Sequence, residues 1–89
     1  MSVSSTFDAL GDPTRRQIMA FLAQGEAPAS DIAEQFNVTF GAVSQHLKVL
    51  RDAGLVRVRV AAQQRFYAVA PAPLAEAAAW LIRTAGGDA

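Results

Sequence analysis

Apolar residues return along this chain with two different periods. Up to about residue 53 they recur every three or four positions, the spacing of a helix face, and from 55 to 69 they alternate, the spacing of a strand. Val43, Leu47 and Leu50 fall on one narrow stripe at about 100° per residue, which must face a core. Gly41, Ser44, Gln45, Lys48 and Asp52 take the opposite side, with Phe40 and Arg51 on one flank. The pattern predicts a helix over residues 40–53. Thr39 offers an N-cap hydroxyl and Gly54 a left-handed stop.

The elements before this helix follow from their punctuation. Residues 6–10 form a short apolar-faced turn or helix with Phe7 and Leu10 at i and i+3, ended by Gly11. Asp12-Pro13 opens a second helix, with the carboxylate as N-cap and proline where its missing N–H costs nothing. It runs to about residue 23 with Ile18, Phe21 and Leu22 inward and Gly25 as its stop. A connector over 26–30 contains Pro28, and a third helix over 29–36 turns Ile32, Ala33 and Phe36 inward. Asn37-Val38 is then a tight turn, with Val38 expected to plug the angle between the helices. A short helix, a tight turn and a longer helix with a small polar N-terminal face make a helix-turn-helix.

Beyond Gly54, Val56, Val58 and Val60 alternate with Arg57 and Arg59, which predicts a strand with one apolar and one cationic face. Residues 65–69 form a second strand. The joining sequence Ala61-Ala62-Gln63-Gln64 lacks glycine, so a longer or mobile loop is expected in place of a tight two-residue turn. Pro71 and Pro73 break the strand, and 74–84 is a final helix before a flexible end at 86–89. The fold class is mainly α with a small β-hairpin, a winged helix-turn-helix of four helices, two strands and a fifth helix. It forms a single domain over 1–89, in which helices 4–10 and 74–84 supply a dimer interface.

Composition narrows the chemistry. The chain has 89 residues and no cysteine, so its core is modest, and disulfides and thiolate metal sites are excluded. Its start has no basic region followed by an apolar run, and no apolar stretch is long enough to span a bilayer. No membrane partner and a cytoplasmic location are therefore expected. A formal net charge of zero argues against a nucleic-acid partner until its distribution is examined. Residues 1–38 set Arg15 and Arg16 against five carboxylates, whereas 39–67 set Lys48, Arg51, Arg57, Arg59 and Arg65 against Asp52 alone. The positive charge is concentrated in the second helix of the motif and in the hairpin.

That distribution gives the outward residues a use. Gly41 and Ser44 allow close approach of a backbone, Gln45 can pair with adenine in bidentate fashion, and Lys48 can neutralise a phosphate. In the hairpin, or wing, Arg57, Arg59 and Arg65, with Gln63 and Gln64 at its loop, suit backbone or minor-groove contacts. An ordinary amphipathic surface helix and an edge strand kept soluble by arginines are the plainer alternatives. Arg15 and Arg16 stand in a first helical turn, where the dipole disfavours cations. Pairing with Asp8 or Asp12 accounts for them, with a DNA phosphate as the other possibility. The final helix is apolar around much of its circumference. Its Leu74, Ala77, Ala78, Trp80 and Leu81, supported by Phe7 and Leu10, predict pairing with a second copy, the alternative being that Trp80 caps the monomer core. A homodimer would present two such helices to successive major grooves about 34 Å apart.

The segments FDALGDPTRRQIMAFL, VSQHLKVLRDAGLV and RFYAV together resemble the ArsR/SmtB-like family of bacterial winged-helix repressors, over nearly the whole chain. The resemblance implies a homodimeric, cytoplasmic repressor of transcription bound to an imperfect inverted repeat in double-stranded DNA. On matching positions it implies DNA contacts from Thr39, Phe40, Gly41, Ser44, Gln45, His46 and Lys48. Metal-sensing relatives keep paired cysteines where this chain has Pro28 and Ser30, and relatives with metal across the last helices use histidines and carboxylates where it has only Glu76 and Asp88. His46 is the single histidine, and one imidazole makes no transition-metal site alone. No metal and no cofactor are expected; the effector is left open. A winged helix can also serve as a protein-interaction module, to which Phe40 alone points. An enzyme would need a nucleophile with its base, a phosphate loop or a metal cluster, and the sequence has none of these.

Overall fold

The computed structural model describes residues 3–87. Its elements are α1 (Val3–Leu10), α2 (Pro13–Leu22), β1 (Ala27–Pro28), α3 (Ala29–Phe36), α4 (Phe40–Asp52), β2 (Val56–Ala61), β3 (Gln64–Val69) and α5 (Pro71–Thr84). The expected caps hold α2 and α4. Asp12 accepts the Arg15 backbone N–H at 3.0 Å, and the Thr39 hydroxyl accepts that of Ala42 at 3.1 Å. At the far end of α4, Gly54 has φ 77°, and the N–H groups of Gly54 and Leu55 return to the carbonyls of Arg51 and Leu50. This pair of hydrogen bonds closes the helix and turns Leu55 straight back into the core. In the turn before α4, Asn37 takes the left-handed role at φ 52°.

Ile18, Ile32, Val43, Leu47, Leu50 and Leu55 are each at most 1% exposed, so α2, α3 and α4 share one core around the stripe of α4. Burying side chains of this size stabilises by about 1.5–3 kcal/mol each. The inner face of α4 is thereby fixed, and its outer face has to stand in solvent.

Five expectations are corrected. Val38 does not plug the helix angle; it is 36% exposed, whereas Ile32 and Val43 on the flanking helices are fully buried. The connector contains a third strand: β1 pairs antiparallel with β3, Ala27 opposite Tyr67 and Pro28 opposite Phe66, giving the order β1-β3-β2. Proline is tolerated there because β1 is an edge. The hairpin loop is a tight two-residue turn, with Ala61 paired to Gln64 and positive φ at both Ala62 (52°) and Gln63 (63°). That is the backbone signature of a hairpin turn twisted to match its strands, and six paired positions on each side hold it without glycine. Pro71 and Pro73 lie inside the first turn of α5, where proline lacks only an N–H that no helix would use. Gly86 and Gly87 return their N–H groups to Arg83 and Ile82 and so cap α5, while Asp88 and Ala89 of the expected flexible end lie outside the described residues.

Candidate nucleic-acid interface

The outer face of α4 forms as its periodicity predicts. Phe40, Gly41, Ser44, Gln45 and Lys48 are exposed together with the capping residue Thr39. Phe40 is 59% exposed although it is a large aromatic side chain. A Cβ added at Gly41 would meet nothing within 4 Å, so the fold itself does not require glycine there. Lys48 Nζ lies 2.9 Å from Asp52 Oδ2, one helical turn along. His46 stands apart from this group. It is half-buried, with Nδ1 4.0 Å from Asp12 Oδ2, and so faces the N-terminus of α2. The Arg15 backbone N–H, more than His46, holds the Asp12 carboxyl below its ordinary pKa.

The register of the wing divides its cations between two faces. Directly opposed residues share a face, and successive residues alternate. Val58, Val60, Arg65 and Tyr67 are therefore on one side, Arg57, Arg59, Phe66 and Ala68 on the other. Arg65 and Tyr67 turn toward α4. With Ser44, Lys48, Arg51 and Asp52 they line an open groove of about 530 Å³. An adjoining hollow of about 500 Å³ brings in Phe40, Gln63, Gln64 and Ser30. Arg57 and Arg59 lie behind. Arg59 Nε donates to both carboxylate oxygens of Glu26 at 3.0 and 2.9 Å, its terminal nitrogen donates to Glu26 Oε1, and its guanidinium sits 4.7 Å from the Phe66 ring centre. This pair holds the Glu26 pKa down and the Arg59 pKa up.

The structure thus gathers Phe40, Ser44, Lys48, Gln63, Gln64 and Arg65 around one cleft and leaves Arg57, Arg59 and His46 outside it. Arg51, Tyr67 and Ser30 line the same cleft without having been singled out. Alternation along β3 places Tyr67 beside Arg65 and was available in the sequence; the docking of β1 that brings up Ser30 was not. The guanidinium groups of Arg15 and Arg16 form no close ion pair with Asp8 or Asp12. They donate to the carbonyls of Ala9 (2.6 Å), Asp8 (3.4 Å) and Leu10 (2.8 Å), supplying cations to the C-terminal end of α1, which carries none of its own.

Between α1 and α5, Phe7 and Trp80 meet edge to face at 5.5 Å and 64°. Trp80, Leu81 and Ile82 are still between 42% and 51% exposed. Ala78 is exposed beside them, Leu10 and Leu74 pack partly on the core, and Ala77 is buried in its own chain. Among the described residues no three His, Cys, Asp or Glu side chains gather as a metal site, and no helix is long and apolar enough to cross a membrane.

A recognition helix seated on a three-helix core beside a two-stranded wing defines a winged helix-turn-helix protein. The profile of the arsR family of bacterial regulatory proteins matches residues 12–58, more than half of the chain. The chain belongs to the ArsR family of bacterial transcriptional regulators. It is 32% identical over 80 residues to the transcriptional repressor SdpR of Bacillus subtilis, covering 90% of this chain and 89% of that one. It is 43% identical over 74 residues to the HTH-type transcriptional regulator Rv2034 of Mycobacterium tuberculosis, covering 83% and 69%. Among solved structures, an ArsR-like transcriptional regulator from Rhodococcus superposes with a TM-score of 0.84 at 31% identity, over 94% of this chain and 79% of that one. The homodimeric winged helix-turn-helix DNA-binding domain of Mb0332 from Mycobacterium bovis does so at 0.77 and 30%, over 94% and 78%.

Proposed function

We propose that this protein is a homodimeric repressor that binds an inverted-repeat operator through α4 and the wing, and that it does so without a resident metal. The observation that carries the reading is the outer face of α4: small and polar at its N-terminal half, free of any packing duty, and continuous with a cationic groove. Gln45 reads a base edge, Ser44 and Gly41 allow the approach, and the wing meets the backbone. The homodimeric relative and the exposed α5 face support pairing. The lack of cysteine and the single histidine, turned toward Asp12, support metal independence. Phe40 favours a second reading, a protein-interaction module, yet an exposed phenyl ring also suits a thymine methyl group.

Fluorescence-anisotropy titration of a duplex selected from random sequence, against a scrambled duplex and with and without zinc, tests this. Selective binding indifferent to zinc is expected. Gln45→Ala should narrow the preference for the selected duplex by about 1–3 kcal/mol. Release of the DNA by zinc would contradict metal independence, and equal affinity for both duplexes would contradict base reading.

A further inference from the structure

We propose that Arg51 of α4 and Arg65 of β3 together seat one backbone phosphate of the bound DNA, in the groove between recognition helix and wing; this rests on the DNA-binding reading above. Five cations lie between residues 39 and 67, and the structure treats them differently. Lys48 is paired with Asp52, Arg59 is held by Glu26 on the far face of the wing, and Arg57 shares that far face. Arg51 and Arg65 are exposed and, among the described residues, neither side chain has a hydrogen-bond or ion-pair partner. They come from different elements and line the same open groove. Asp52 also lines it, but Lys48 offsets that charge at 2.9 Å, so the groove keeps two uncompensated positive charges.

Two cationic residues lining one groove repel each other, and an anion between them relieves that repulsion. Each presents a planar fork of donors that matches phosphate oxygens. The half-buried Tyr67 lines the same wall and adds a hydroxyl to the donor set. Ser44 belongs both to this groove and to the outer face of α4. A phosphate seated here would therefore stand beside the base edges that α4 reads, and would fix the register of the helix along the duplex.

The test uses the full chain on the selected duplex and on random duplex, over a salt series. One neutralised phosphate contributes about 0.9 to the slope of log affinity against log salt. If the two arginines share a phosphate, the Arg51→Ala/Arg65→Ala double variant should lose about 0.9 of slope on both duplexes, where two separate phosphates would lose about 1.8. Arg51→Lys and Arg65→Lys should keep the slope while weakening binding, because charge remains and the fork is gone. Neutral methylphosphonate placed at successive positions of the duplex should reveal one position at which both alanine variants bind as the wild type does. An unchanged slope, a loss of twice the expected size, or no such position would overturn the shared seat while leaving DNA binding intact. Failure of the wild type to bind any duplex would overturn the functional reading, and this one with it.

Discussion

Gly41 lies in the first turn of α4 with open space where a side chain would stand. Glycine within a helix costs about 0.5–1 kcal/mol relative to alanine, and nothing in the fold repays that cost. On the proposed function, the close approach of DNA to α4 offsets it. Gly41→Ala should therefore raise the thermal midpoint, by about 0.5–1 kcal/mol in stability, while weakening binding to the selected duplex. A variant that gains stability and binds unchanged would remove Gly41 from the interface. The inward and outward sides of α4 were legible in the sequence because Val43, Leu47 and Leu50 left no other rotation possible. The partners of individual cations were not. Nothing in the order of residues says that Arg15 and Arg16 meet the carbonyls ending α1, because that needs the angle at which α1 and α2 join. The Lys48–Asp52 pair, by contrast, was visible as an i,i+4 spacing on one helix.

Elements were legible where their ends carry caps. Asp12-Pro13, Thr39 and Gly54 located α2 and α4 to within a residue or so, because each satisfies backbone groups by local geometry. β1 has only two residues and no periodicity, so only its pairing with β3 reveals it. The Ala62-Gln63 turn was hidden for the opposite reason. Its residues disfavour positive φ, and the cooperative pairing of β2 with β3 overrides them. A left-handed alanine costs about 1–2 kcal/mol, whereas glycine adds about 0.4–1 kcal/mol of unfolded-state entropy. Relief exceeds the added entropy, so Ala62→Gly should stabilise the protein by roughly 0.5–1 kcal/mol in a denaturant melt. Destabilisation would mean that the turn is not left-handed at this position.

The Glu26–Arg59 pair fastens β2 to the segment entering β1 and gives the wing a pH dependence of known sign. The Arg59 guanidinium lowers the pKa of Glu26 in the folded state. The contribution is thus fully present above the ordinary glutamate value and is lost as pH falls through the lowered one. Both groups are exposed, so the effect is small. Glu26→Gln should melt below the wild type at neutral pH and converge with it in acid, once pH has fallen below the lowered Glu26 pKa. A difference that stayed constant with pH would show that the pair contributes nothing through charge.

At the scale of the whole molecule, the cationic cleft beside α4 and the apolar face of α5 are distinct surfaces. The apolar excess of α5 was legible in composition, and so was the presence of Trp80 within it. Which side of α5 the chain keeps for itself was not, because the buried Ala77 and the exposed Ala78 are the same residue type one position apart. The exposed set of Trp80, Leu81 and Ile82 is the face that a second copy would cover. Leu81→Glu should shift the protein to monomer in sedimentation and weaken operator binding far more than binding to random DNA. A dimer that survives this change would place the interface elsewhere.

On the proposed function, two copies of α4 enter successive major grooves on one side of an operator. Hydroxyl-radical footprinting combined with methylation interference on the selected duplex measures this most directly. Two protected patches centred about 10–10.5 base pairs, or a multiple of that, apart on one face of the DNA, with major-groove interference at the centre of each, are predicted. A single patch, or two patches on opposite faces, would contradict it.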